Sequence, residues 1–435
     1  MAWLIYNLLF PLILVAMLPH YLLRMRRRGG YRRGFLQRLG LYDASLKAAL
    51  AARPRIWIHA VSVGEMFVAL KFIEEWRSRD AGVAFAISTN TSTGHALALR
   101  QKHSDDVLVY FPLDFPPFVW RVLGLIRPRL LLLVEGEIWP NLVRLTSARG
   151  VPIALVNGRM SAKSFAGYRR VRFLFRPVMN RLDRLFVQSG DDAERFLQLG
   201  VEPGRVAVIG SAKYDVALGA KGDRAQAEKV FAAAGIPADS LILLGGSTWA
   251  GEEEALLDLY ARHKAVHPEL RLVLVPRHAE RRDEVMAAIR RRGLSVVQRS
   301  RMAGGAPVPE APDVLLADTT GELRHLYTLA DVIFVGKSLT QHGGQNPIEP
   351  ASCGKAIVVG PNMENFPDVM RDLLSENAIA QISNSDELSS RVGELLADAA
   401  TRAAYGRRAA AVVQEKAGSL RRTVDAAMDL IPGKP

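Results

Sequence analysis

Short apolar runs, many of them β-branched, recur through the first half of the chain. They are Ile56–Ile58, Val83–Ile87, Val107–Tyr110, Leu130–Val134, Ile153–Val156, Leu185–Val187 and Val206–Ile209. Each is separated from the next by a stretch long enough for a helix. Continuous apolar strands alternating with helices predict a parallel sheet covered on both faces. After a linker at Gly210–Asp215 the pattern restarts with Leu241–Leu244, Leu272–Val275, Val296–Val297, Val314–Leu316, Val332–Val335, Ala356–Val359 and Ile379–Ile382. The expected architecture is α/β, with two doubly wound, Rossmann-like domains facing a cleft. Ala303–Pro312 reads as a loop. Ala403–Leu430 reads as one amphipathic helix that can pack back on the first domain.

The N-terminus has a different pattern. Trp3–Leu23 is almost wholly apolar and close to the ~20 residues that span a bilayer. Arg24, Arg26, Arg27, Arg28, Arg32, Arg33 and Arg38 follow, with no acidic residue before Asp43. A secretory signal has the opposite polarity. The segment is expected to anchor the chain, spanning the membrane or lying in its interface, with everything after residue 24 on the cytoplasmic side. A second basic stretch runs from Arg159 to Arg184 with Phe165, Tyr168, Phe173 and Phe175 interleaved. Such a stretch fits a solvated helix face, a nucleic-acid surface or a membrane-facing surface, and the N-terminal anchor favours the last.

In parallel sheets, ligands bind beyond the C-terminal ends of the strands. Polar residues there are therefore the candidates for chemistry. His59–Glu65 delivers Glu65 through a Gly-containing turn to the start of a helix, where an acid could also be a simple cap. Glu135–Pro140 and Asn157–Ser161 follow two further strands, and Lys213 follows the seventh. Carboxylates and bases converging at strand ends suit acid–base chemistry on a polar substrate. Glu65 is the best candidate general base, with Glu135, two strands away, supporting the charge changes.

In the second half, Gly336–Pro361 is a strand–loop–helix–strand unit. Ser338, Gly343–Gly344 and Asn346 form its Gly-rich turn, and Pro347, Ile348 and Glu349 open the helix. Backbone N–H groups at such a turn suit an anion, and the carboxylate suits sugar hydroxyls. Gly245–Trp249, Glu252–Glu254, Arg277–His278 and Asp318–Glu322 lie at other strand ends.

Composition narrows the chemistry. A net charge of +13 and a single cysteine, Cys353, point to anionic partners and argue against a disulfide framework or a Cys-based metal site. The sequence has no P-loop signature, no GxGxxG after the first strand, no HExxH and no Asp-x-Asp. Leaving-group charge is expected to fall to Lys, Arg and backbone donors, with no metal and no cofactor.

Taken together, HAVSVGE, EGEIWPN, NGRMS, GSAKYD, PRH, DTTGEL and GGQNPIEPA, in that order, resemble the 3-deoxy-D-manno-octulosonic acid (Kdo) transferases of lipopolysaccharide synthesis. The resemblance runs from the N-terminal anchor to about residue 365. It implies a GT-B glycosyltransferase at the inner membrane. Its reaction would transfer Kdo from CMP-Kdo to a lipid A precursor (lipid IVA), with inversion and without a metal. It implies an anchor over residues 1–24, an acceptor domain over 25–212 and a CMP-Kdo domain over 213–435. By resemblance, the base falls on Glu65 and the transition-state-stabilising pair on Glu135 and Lys213. CMP contacts fall on Arg277, His278, Thr320, Gly321, Glu322, Asn346, Pro347, Ile348 and Glu349. Gln345 departs from the His common there, and Ala212 from a larger apolar residue. Anionic membrane lipids are expected partners and nucleic acid is not. The alternatives are a GT-B enzyme using a UDP-sugar, or a non-catalytic protein binding anionic lipid or nucleic acid. The second leaves the strand-end carboxylates unexplained, since they repel phosphates.

Overall fold

The computed structural model describes residues 3–12, 14–16, 34–219, 222–302 and 311–431. The arginines from Arg24 to Arg33 and most of the Ala303–Pro312 loop lie outside them. The chain divides into two compact units, Met1–Val216 with Ala417–Pro435, and Ala217–Lys416. The expected boundary was at residue 213, with the C-terminal helix able to pack back on the first domain; here the C-terminal segment from Ala417 belongs to the first unit.

The first unit is a seven-stranded parallel sheet. Its strands are β1 (Arg55–His59), β2 (Phe85–Thr89), β3 (Val107–Tyr110), β4 (Pro128–Val134), β5 (Ile153–Gly158), β6 (Arg184–Val187) and β7 (Val206–Val208). Their order is β3-β2-β1-β4-β5-β6-β7. Alternate strand residues enter two separate cores. Trp57, Leu131, Leu133 and Leu155 join one, while Ile56, Ile58, Leu130, Leu132 and Val156 join the other. That two-sided burial is why the runs are continuous rather than alternating. Glu135 was expected two strands from Glu65, but β4 pairs directly with β1. The order reverses at this pair, so both residues flank the point where doubly wound sheets bind ligands.

Three helices matter below: α1 (Val63–Arg77), α2 (Pro140–Ser147) and α3 (Ala212–Gly219), the last beginning in this unit. The second unit is also a seven-stranded parallel sheet, in the order β10-β11-β9-β8-β12-β13-β14. Its strands are β8 (Leu241–Thr248), β9 (Leu270–Pro276), β10 (Val296–Gln298), β11 (Val314–Leu316), β12 (Val332–Val335), β13 (Ala356–Val359) and β14 (Ala380–Gln381). Helix α4 (Glu252–Lys264) follows β8, and the short α5 (Ile348–Ser352) lies between β12 and β13.

The expected helix over Ala403–Leu430 is two helices, α6 (Ala399–Lys416) and α7 (Ser419–Met428). Gly418 separates them at φ 84°, a left-handed conformation that costs glycine nothing. Asp215 caps α7, accepting N–H bonds from Gly418 at 2.6 Å and Ser419 at 3.0 Å and the Ser419 hydroxyl at 2.7 Å. Leu420, Val424 and Ala427 then bury in the first unit's core. Each Leu or Val buried this way contributes about 1.5–3 kcal/mol.

The N-terminal helical segment docks on the same unit through its polar residues. Tyr6 donates to Asp114 at 2.8 Å, and Asn7 exchanges amide bonds with Asn141. The Trp3 ring receives the guanidinium groups of Arg144 and Arg181 at 5.5 and 5.7 Å. Asp114 also accepts the N–H groups of Asn141 and Leu142 at the start of α2. The opposite face of the segment exposes Leu4, Leu8, Leu12 and Val15. No helix among the described residues is long and apolar enough to cross a membrane. In the basic stretch, Phe165, Tyr168 and Phe175 pack against the core, which leaves Phe173 as the exposed aromatic of that set.

Candidate active site

In the first unit the chain leaves β1 and enters α1 through Ser62, whose hydroxyl accepts the Glu65 N–H at 3.2 Å. Glu65 reaches back and accepts the Val61 N–H at 2.8 Å. This reciprocal cap fixes the carboxylate one turn into the helix.

Beside it, β4 is followed directly by Glu135, a non-glycine residue at φ 60°. Asn157, near the end of β5, also lies in the left-handed region at φ 51°. Such backbone is sparsely populated and clusters at functional sites. The Asn157 amide donates to Glu135 at 3.3 Å. Burial pushes the Glu135 carboxyl above its usual range; Lys213 and Arg159 draw it back, and Glu65 pushes it further up. Lys213, one residue into α3, thus belongs to the same cluster.

Glu137 has the most displaced carboxyl of this group, at about 7. Burial is the main cause, with the negative charges of Glu65 and Glu135 adding to it and Trp139 opposing it. Sequence reasoning quoted Glu137 in its motif without singling it out. The strand ends at Val134, so strand alternation gives no side-chain direction beyond it. Three carboxyl groups after the neighbouring strands β1 and β4, with a lysine at the start of α3, can carry a proton and stabilise charges of both signs.

In the second unit, β8 and β12 flank the order reversal, and Glu252 ties their ends together. It is fully buried and accepts N–H bonds from Trp249, Lys337, Ser338 and Leu339 at 2.8–2.9 Å. The sequence read it as part of a capped helix start; the structure turns it inward as a loop organiser. Gly336 is required here, because a Cβ would sit 2.4 Å from the Ser247 carbonyl oxygen. Ser338 was expected in the polar turn facing a ligand. It is fully buried and ties Val335 to Gly360 instead.

Arg277 and His278 follow β9 and are exposed. The His278 ring meets Trp249 edge-on at 5.1 Å, and the Lys337 ammonium lies 5.2 Å from the Trp249 ring centre. These groups form one set. A second set centres on Asn346–Glu349. Arg324 draws on Glu349, and the Asn346 amide donates to Glu349 at 3.1 Å. Burial still dominates and raises the Glu349 carboxyl above its usual range. Asn346 also accepts the Ile348 N–H at 3.1 Å, which shapes the turn into α5. The side chains differ in availability. Ile348 is fully buried, Pro347 stands just before α5 rather than in its first turn, and the Glu322 carboxylate is held by Arg299 and Thr319. Thr320 and Gly321 are exposed, with Gly321 at φ 90° in open space.

Two Rossmann-like units of this topology make up the GT-B fold. The Anabaena HepE protein in complex with UDP has the same fold, with a TM-score of 0.59 over 86% of this chain and 99% of that one, at 14% identity. A putative UDP-N-acetylglucosamine 2-epimerase from Listeria monocytogenes gives 0.59 over 88% and 98%, at 12% identity. The family described as 3-deoxy-D-manno-octulosonic-acid transferase (kdotransferase) matches residues 33–216, and that of glycosyl transferases group 1 matches 254–412. The 3-deoxy-D-manno-octulosonic acid transferase of Bordetella pertussis is 36% identical over 93% of this chain and 94% of its own. That of Haemophilus influenzae is 29% identical over 91% of each. The chain belongs to the Kdo transferase family.

Proposed function

We propose that this chain transfers Kdo from CMP-Kdo to a hydroxyl of a lipid A precursor, lipid IVA, with inversion and without a metal. The observation that carries the reading is the pairing of β1 with β4, which brings Glu65 beside Glu135 at the first unit's order reversal. Glu65 takes the acceptor hydroxyl's proton as its oxygen bonds to the anomeric carbon. The bond from that carbon to the CMP phosphate breaks, and its electron pair leaves with CMP. Glu135 balances positive charge developing at the anomeric centre, and Lys213 balances the negative charge leaving with the phosphate. Arg277, His278, Thr320 and Gly321 bind the nucleotide. Asn346 and Glu349 take its ribose hydroxyls.

The N-terminal segment supports a place at the cytoplasmic face of the inner membrane. Its polar face is committed to Asp114 and Asn141, while its leucine face is exposed. That arrangement suits a helix lying in the interface. Calorimetry with CMP and UDP tests the donor: CMP must bind more tightly. UDP binding as tight as CMP would favour a UDP-sugar enzyme instead.

A further inference from the structure

Asn157 is placed to do more than end a strand. It is buried, and both ends of its side-chain amide are used. Its oxygen accepts the N–H of Ala212, the first residue of α3, at 3.0 Å. A backbone N–H can only donate, so the amide oxygen must face Ala212 and the NH₂ group must face Glu135. The contact to Glu135 is the 3.3 Å bond already described. The Asn157 carbonyl accepts from the Gln188 amide at 2.9 Å, which fixes the peptide itself. One small amide thus links the Glu135 carboxylate to the start of the helix carrying Lys213.

We propose that Asn157 is a positioning residue for the Glu135–Lys213 pair, holding carboxylate and lysine in one register. The inference rests on the reading that this pair acts at the transition state. A hydrophobic residue of similar size would fill the space without holding either group. Aspartate would accept from Ala212 but set a second negative charge against Glu135, and carboxylates sharing a site raise one another's pKa. Both Asn and Asp tolerate left-handed backbone, so Asn157→Asp keeps the local fold.

The test is steady-state kinetics of the full chain with CMP-Kdo and lipid IVA across pH. Asn157→Asp is expected to stay folded, with its melting temperature falling from pH 5 to pH 7 relative to wild type, and to keep its CMP affinity and KM for CMP-Kdo. Its kcat near pH 7 falls by up to about 100-fold, the scale for small misplacements of reacting groups. The acid limb of its kcat/KM profile moves to higher pH, because Glu135 ionises later. Asn157→Gly accepts the same backbone and makes neither bond; its kcat falls and raising the pH does not restore it. Wild-type kcat in folded Asn157→Gly overturns the proposal, and so does an unmoved acid limb in folded Asn157→Asp. A wild-type chain that binds CMP-Kdo and transfers nothing overturns the functional reading beneath it, a result visible before any variant is made.

Discussion

One carboxylate oxygen of Glu65 holds the backbone N–H of Val61 at 2.8 Å. Capping and catalysis are usually weighed as rivals for an acid at a helix start, but this cap engages a single oxygen. Glu65→Gln keeps an amide oxygen for Val61 and removes the base. Its melting temperature and CMP affinity should match wild type, while kcat falls by about 10²–10⁴-fold, the usual contribution of a general base. Glu65→Ala should lose, in addition, about 0.5–1.5 kcal/mol of stability with the cap. Near-wild-type kcat in Glu65→Gln would leave Glu65 as a helix cap alone.

Glu137 gives a pH signature. Its carboxyl holds its proton to about 7 in the folded chain, against 4.5 ordinarily. Between those values the folded state binds the proton and the unfolded state does not, so stability falls as pH rises. The wild-type melting temperature, taken relative to Glu137→Gln, should therefore drop from pH 5 to pH 7 and level off above. Glu65→Gln removes a nearby negative charge and should lower the Glu137 pKa, which carbon-detected NMR of labelled glutamate reads directly. A pH-independent difference between wild type and Glu137→Gln would contradict this.

The donor side rests on Glu349, which burial holds above the usual carboxylate range while Asn346 and Arg324 oppose that rise. Glu349→Ala should weaken CMP binding by about 1.5–3 kcal/mol, the range for hydrogen bonds to a charged group. Calorimetry giving wild-type affinity on a folded variant would remove Glu349 from the nucleotide site.

The N-terminal segment separates two roles on two faces. Leu8→Asp with Leu12→Asp alters exposed positions only, so stability should hold while sedimentation with anionic vesicles falls. Each leucine withdrawn from lipid forfeits up to about 1.5–3 kcal/mol. Tyr6→Phe acts on the other face and should cost stability through its bond to Asp114. Burial raises the Asp114 carboxyl to about 6, against the N–H groups of Asn141 and Leu142 and the Tyr6 hydroxyl. The Tyr6→Phe cost should thus be larger above pH 6, where the acceptor is charged, than at pH 4. Unchanged vesicle binding in the leucine variant would refute the interfacial reading.

The strands were legible because parallel sheets buried on both faces leave continuous apolar runs such as Leu130–Val134. The candidate residues were legible because doubly wound sheets place function at strand ends. What the sequence hid was tertiary. The adjacency of Glu65 and Glu135 follows from strand order, which no local pattern encodes. Glu252 reads as one more acid in a helix's first turn, yet four backbone N–H groups from two loops converge on it. Asp215 sits in a motif quoted for its lysine, and its work is to cap a helix some two hundred residues away. Ser338 looked like a ligand contact because a polar residue in a Gly-rich turn carries no sign of which way it faces.

The most direct measurement of the whole account is the mass of the product. Purified wild-type chain, incubated with CMP-Kdo and lipid IVA in detergent, should release CMP and convert the lipid to a species heavier by one or more Kdo residues. Lipid of unchanged mass, from a sample that binds CMP and lipid IVA, would contradict it.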